Sequence, residues 1–380
     1  MKKQIKRLTL ALIAVGLSSP VWAGAFDVTV PNQNGGIVVG ATGLFLTAGA
    51  NNTTYGATGG VAPFTTVSGI STVTTTNVSG TSLDTNPNYH WAFGVQLGYL
   101  FPGTGNDITA SWTHLNSHDT GSVNAGSGGT ITPFPQGNSA AEAIAATTGG
   151  ISVLSSGNGK TSYKMDAVDL MAGQRIFIGS DFNLRLSAGL EYARLQNTIS
   201  NVFTGAIPQF ITAAGNYSNA IASYQSSETS TFNGLGPKAA FDGRFCFGDS
   251  GFGFDSNLNG GLLIGNISVN QSSTANSFAT INTRDPVTGA KGVTTATFTN
   301  SATGLDTGTQ NRRVVPFLGA NLGVDYMYKF NNAAQSSLTA ELGYQAVNYF
   351  NSNRTINPEG SLTNINFTDH GPFLTVKFLA

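Results

Sequence analysis

His118-Asp119 and Asp369-His370 are the two places in this 380-residue chain where a histidine adjoins a carboxylate, the residue types used for general acid–base chemistry. Adjacent residues in an extended chain point to opposite faces, so neither pair makes a hydrogen-bonded couple by itself. Serine is abundant, but no Gly-x-Ser-x-Gly stands after a strand as a nucleophile elbow. The histidines and the lone Cys246 show no metal-ligand spacing, and the acidic loop residues are scattered. No catalytic residue, metal ligand or cofactor site is expected. A hydrolase acting at an outer rim is the weakest of three functional readings.

A second constellation is larger. Asp169, Arg175, Arg185, Glu191, Lys238, Asp242, Arg244, Asp255, Arg313, Asp325, Glu341 and Lys377 all fall on the same side of segments in which side chains alternate. Six are acidic and six basic. Their chemistry is that of a wet, ion-lined lumen, or of structural ion pairs filling a narrow one. A bilayer would enforce such sorting, because Arg or Lys on a lipid face near mid-membrane costs about 2–4 kcal/mol.

The elements that would position these charges are strands. From Tyr89 to Phe101 every odd residue is large and apolar or aromatic, while His90, Gly94, Gln96 and Gly98 lie between them. Alternation of this kind gives one face for hydrocarbon and one for water or close packing. Ten such segments lie near 36–46, 89–101, 107–115, 164–178, 183–195, 232–247, 252–265, 312–328, 337–350 and 370–378. Trp91, Trp112, Tyr192, Tyr326, Tyr328, Tyr344 and Phe378 stand near strand ends, as interface anchors do.

Four connections are short, at 102–106, 179–182, 248–251 and 329–336. Five are long and rich in Ser, Thr, Gly and Asn, near 47–88, 116–163, 196–231, 266–311 and 351–369. Strict alternation of the two kinds predicts an all-β, up-and-down antiparallel transmembrane barrel with short periplasmic turns and long extracellular loops. Centring the turn at 248–251 pairs Arg244 with Asp255 inside and Phe245 with Phe254 outside. Centring the turn at 102–106 pairs Tyr99 with Ile108, Leu97 with Ala110 and Val95 with Trp112 on the lipid face. A slip of one residue would mix the faces in both hairpins. Ten strands are expected; Thr65–Val73 and parts of 266–311 leave twelve or fourteen open, or extra extracellular ribbon. The Ala-rich patch Ser139–Thr148 suits a short loop helix.

Lys2, Lys3, Lys6 and Arg7 precede an apolar stretch from Leu8 to Leu17, and Val21-Trp22-Ala23 offers a cleavage site. Residues 1–23 read as a secretory signal peptide, with 24–380 as a single barrel domain. Cleavage leaves 14 Lys plus Arg against 19 Asp plus Glu, which disfavours nucleic acid as a partner. Charged residues make up 10% of the chain, far below the roughly 25% of soluble domains, yet no mature stretch has the 18 or more consecutive apolar residues of a spanning helix. Cys246 is the single cysteine, so no intramolecular disulfide can form.

Beyond general barrel patterns, the runs WAFGVQLGYLFPGTGNDITASWTHL, VDLMAGQRIFIGSDFNLRLSAGLEYARL, GPKAAFDGRFCFGDSGFGFDSNLNGGLL, PFLGANLGVDYMYKF and LTAELGYQAVNYFNSN resemble the Legionella-type major outer membrane protein family. The resemblance implies an outer-membrane β-barrel with porin-like activity and surface roles in adhesion. Two features depart from the family: with Cys246 alone a subunit makes at most one intermolecular bridge, and the terminal aromatic, Phe378, stands two positions in. The first functional expectation is therefore passive passage of small solutes or ions, with outer-membrane lipid around the barrel. The second is a scaffold whose long loops bind a host or surface partner.

Overall fold

The computed structural model describes residues 28–30, 35–50, 53–59, 81–125, 130–133, 154–211, 217–284, 291–331, 336–356 and 362–380. The expected leader (1–23), Thr65–Val73 and Ser139–Thr148 lie outside the described residues. The elements are β1 (Val28–Thr29), β2 (Gly36–Gly49), β3 (Thr54–Gly59), β4 (Thr81–Asp84), β5 (Tyr89–Leu100), β6 (Asn106–Asn124), β7 (Thr130–Pro133), β8 (Ser156–Ile178), β9 (Phe182–Ile211), β10 (Tyr217–Cys246), β11 (Phe252–Arg284), β12 (Lys291–Lys329), β13 (Ser337–Ile356) and β14 (Leu362–Leu379), with one 3-10 turn at Gly248–Ser250.

Ten strands close into an antiparallel ring in the order β8-β6-β5-β2-β14-β13-β12-β11-β10-β9, with β9 returning to β8. The ring is sealed where β14 pairs β2, through Val38 opposite Leu379 and Thr47 opposite His370. At the end of that seam Ile37 and Ala380 exchange backbone hydrogen bonds of 3.1 and 3.0 Å. Closure leaves no exposed edge, which hydrocarbon requires. Both expected hairpin registers are present: Arg244 opposite Asp255 with Phe245 opposite Phe254, and Tyr99, Leu97 and Val95 opposite Ile108, Ala110 and Trp112.

The outward face is an apolar band. On β10 its large exposed residues run from Phe245 to Leu235. Ten residue steps at about 3.4 Å, tilted about 40°, span about 26 Å, close to the roughly 25 Å band of outer-membrane barrels.

Above this band the structure corrects the expectation of open loops. Segments 196–231 and 266–311 are mostly strand, since β9 continues to Ile211, β10 starts at Tyr217, β11 runs to Arg284 and β12 starts at Lys291. Parts of 116–163 and 351–369 likewise extend β6, β8, β13 and β14. The cause is a change in which face is apolar. On β9 the exposed large residues Leu186, Leu190 and Tyr192 point outward, whereas Leu195, Ile199 and Phe203, at odd positions, are buried inside. On β10 the outward Leu235 gives way to inward Phe232 and Tyr224. Below, the barrel has a hydrocarbon solvent outside; above, it has water outside and keeps its own core.

Strands β3, β4 and β7 form a small separate sheet. It docks against the inner wall of the upper ring. Tyr55 of β3 fills the space left by Gly121 of β6 and Gly159 of β8, and the Thr85 and Thr161 hydroxyls are 2.7 Å apart. Burial, together with the Asp84 carboxylate, pushes the Tyr55 phenol above its ordinary pKa.

Candidate functional site

Alternation brings Asp169, Arg175, Arg185, Glu191, Lys238, Asp242, Arg244, Asp255, Asp325 and Glu341 to one cavity inside the ring, with a volume of about 1140 Å³. Lys377 borders it too. Arg313 faces inward but lies outside the cavity lining. The lining includes Lys329, Phe330, Asn331 and Leu379, residues of the short-turn end, so the cavity reaches the periplasmic mouth.

The charges form three groups. Deepest is Lys238, whose ammonium lies 2.8 Å from Glu191 and 3.0 Å from Asp169. Tyr349 donates a hydrogen bond of 2.9 Å to the other Glu191 oxygen, and Ser111 donates to Asp169. The Lys238 ammonium also sits 5.6 Å from the centre of the Phe317 ring. Glu191 is only 1% exposed, so Lys238 is what makes its charge tolerable. Removing one partner of such a group leaves a buried charge uncompensated, at a cost of about 3–5 kcal/mol. Lys238→Met should therefore lower stability by about that amount in denaturant unfolding from vesicles, and Lys238→Met with Glu191→Gln should recover part of it.

Nearer the mouth, Arg185 holds Asp107 with both a 2.7 Å and a 2.8 Å contact and reaches Asp242 at 2.8 Å. Arg175 adds a longer contact of 3.4 Å to Asp107, and Asn257 donates to Asp242. Arg185 belongs to β9 and Asp107 to β6, so the guanidinium must cross β8. It does so over Gly173, where an added Cβ would lie 2.7 Å from the Arg185 Nε. The third group repeats this device. Arg244 of β10 bonds Asp325 of β12 at 2.6 Å, passing over Gly253 of β11, where a Cβ would lie 2.9 Å from its Nε. Arg244 thus leaves Asp255, its neighbour in register, for a carboxylate one strand further on. Lys377 pairs with Glu341 at 3.1 Å.

Above the cavity the lumen is packed with apolar side chains. A layer of buried apolar side chains receives a contribution from every ring strand, among them Leu46, Ala92, Leu115, Tyr163, Leu195, Phe232, Leu263, Phe317, Tyr349 and Phe367. Phe317 stacks on Tyr349 with ring centres 5.3 Å apart. A second apolar cluster, containing Tyr55, Ile131, Phe203 and Tyr224, lies where the small sheet enters the ring.

The two histidine–carboxylate neighbours split across the wall. Asp119 is buried inside while His118 is exposed outside; Asp369 accepts from Gln345 inside while His370 bonds the Tyr344 hydroxyl outside. Asp119 instead bonds His90 of β5 at 3.1 Å. The pairing of His90 with Asp119, and the part played by Asp107, were not read from sequence. Position on the inward parity of β5 and β6 was the available signal. Among the described residues no group of three or more His, Cys, Asp or Glu side chains is arranged to hold a metal.

Solved structures that match the chain include the outer membrane protease OmpT from Escherichia coli, at 10% identity and TM-score 0.37, covering 92% of this chain and 98% of that one. A Pseudomonas aeruginosa FadL homologue matches at 10% identity and TM-score 0.27, covering 90% of each chain. No curated protein matches the chain. Residues 29–380 match the family described as Legionella pneumophila major outer membrane protein precursor. A ten-stranded ring with a lipid-facing band, over a match spanning nearly the whole sequence, fixes both place and kinship: the chain is an outer-membrane β-barrel and belongs to the Legionella major outer membrane protein family.

Proposed function

We propose that this barrel is a narrow pore for small solutes or ions, held shut at its outer end by its own side chains. The observation that carries the reading is the charge-lined cavity of about 1140 Å³, which runs from the periplasmic mouth up to the apolar layer. A scaffold needs no such space. Ten-stranded barrels lie between the filled eight-stranded kind and open porins, so a partial lumen with a closing layer suits a low-conductance path. Purified protein in planar bilayers is expected to give small, discrete conductance steps. Asp242→Ala should shift selectivity toward anions and Lys238→Ala toward cations. Silence from folded wild-type protein and from variants opened at the apolar layer would sink the reading. No enzymatic activity is proposed, and a broad peptide and ester panel should show no turnover.

A second reading, a display scaffold for a host or surface partner, is favoured by one feature. The β11–β12 hairpin extends far above the apolar band, with Thr274 still paired to Thr303. Deleting 274–303 should abolish binding to host-cell surfaces and spare conductance if display is the main role; the opposite pair of results favours the pore.

A further inference from the structure

The outer wall of β6, β8 and β9 carries a basic patch immediately above the apolar band. In register, Trp112, Val168 and Tyr192 form one outward row. The next outward row is His114, Asp166 and Arg194, followed by Asn116, Lys164 and Gln196; His118 and then Lys160 stand higher. Lys160, Lys164, Arg194 and His118 are exposed. The patch contains one carboxylate, Asp166, which is already engaged by the His114 ring at 2.8 Å and the Trp112 indole at 3.3 Å. None of Lys160, Lys164 and Arg194 forms a salt bridge among the described residues.

This clustering runs against the chain as a whole. Acidic residues outnumber basic ones in the full sequence, and most basic side chains of the membrane-spanning part are turned inward to the cavity. Three unpaired cations on two adjacent strands, with two histidines on the third, are therefore a local feature of one side of the barrel. Their height matters as much as their charge. Arg194 stands two residues above Tyr192, and Lys164 four above Val168, which puts them roughly 5 and 10 Å outside the band at the strand rise and tilt of such barrels. That is the depth of lipid headgroups. Long basic side chains there can meet phosphates while Trp112, Val168, Leu170 and Tyr192 below them face acyl chains.

We propose that this face is a binding site for a phosphate-bearing lipid of the outer leaflet, with Lys164 and Arg194 on the phosphate nearest the band and Lys160 on a phosphate or other anionic group further out. The polar side chains between them, Asn116, Ser162, Gln196 and Thr198, offer hydrogen bonds to the rest of the headgroup. The proposal is independent of whether the lumen conducts.

The test uses the full chain folded in detergent micelles, with folding checked by the faster gel migration of unheated barrels. Binding of bis-phosphorylated lipid A, of its dephosphorylated form and of inorganic phosphate is measured for wild type, for Lys160→Ala/Lys164→Ala/Arg194→Ala, and for Arg312→Ala, an exposed cation on another face. With three basic residues lost, the triple variant should bind lipid A roughly a hundredfold more weakly, while Arg312→Ala binds as wild type. Dephosphorylated lipid A should bind wild type and triple variant alike, and Lys160→Arg/Lys164→Arg should keep wild-type affinity. Equal affinity of wild type and triple variant for lipid A overturns the proposal. So does full displacement of lipid A by millimolar inorganic phosphate, which would make the site one for free anions. If the triple variant does not fold, Lys164→Gln/Arg194→Gln carries the same comparison.

Discussion

Arginine at Leu97 is expected to prevent assembly of the protein in a bilayer, while arginine one residue earlier, at Gln96, leaves a folded barrel. Leu97 is 58% exposed on the wall, opposite Ala110, near the middle of the β5 span whose ends are marked by Trp91 and Phe101. Gln96 borders the cavity. A guanidinium on the lipid face at mid-membrane costs about 2–4 kcal/mol, a large share of the 5–15 kcal/mol that holds a typical domain together. The same group at Gln96 meets water and carboxylates. The fraction of heat-modifiable, membrane-inserted protein should fall steeply for Leu97→Arg and for Val95→Arg, and little for Gln96→Arg. Equal tolerance at the three positions would contradict the face assignment.

The second large effect is expected at the apolar layer. Phe232 and Phe367 are fully buried within it, on β10 and β14, and replacing either by alanine removes a ring that both packs and blocks. Each truncation should cost about 3–5 kcal/mol of stability, because the lost burial is joined by a cavity that the ring of strands cannot collapse to fill. The same cavity should admit water to the apolar layer, and conductance should rise roughly tenfold in Phe232→Ala/Phe367→Ala, as for hydrophobic gates that open by wetting. Phe367→Ala alone should show a smaller rise, so the test survives if the double variant fails to fold. Loss of stability without any gain in conductance would place the block elsewhere, at the small sheet.

How much of this was legible from residues alone follows from which solvent each face meets. The spanning part of every ring strand was readable because lipid demands large apolar side chains at alternate positions. Tyr89 to Phe101 show it most cleanly, and the turns at 102–106 and 248–251 fixed the hairpin registers. The ten cavity charges followed from the same parity. The upper barrel was hidden because its apolar parity is reversed. Leu195, Ile199 and Phe203 are spaced as a strand should be, but in the opposite phase to Leu186, Leu190 and Tyr192, so a pattern tuned to one face ends there. Register also could not tell which carboxylate an arginine would choose. Arg244 lies opposite Asp255 yet bonds Asp325, and Arg185 reaches Asp107 two strands away. Those choices depend on Gly253 and Gly173, whose missing side chains open the way.

The seam between β2 and β14 sets an order in time. These two strands stand at opposite ends of the ring's sequence, with Val38 beside Leu379. Until they pair, the folding sheet has two bare rims of backbone, each ready to capture another chain. Joining segments more than 300 residues apart costs about 5 kcal/mol of chain entropy, to be recovered only as that final seam zips. Closing that seam removes both rims at once, and it can happen only where the first and last strands meet.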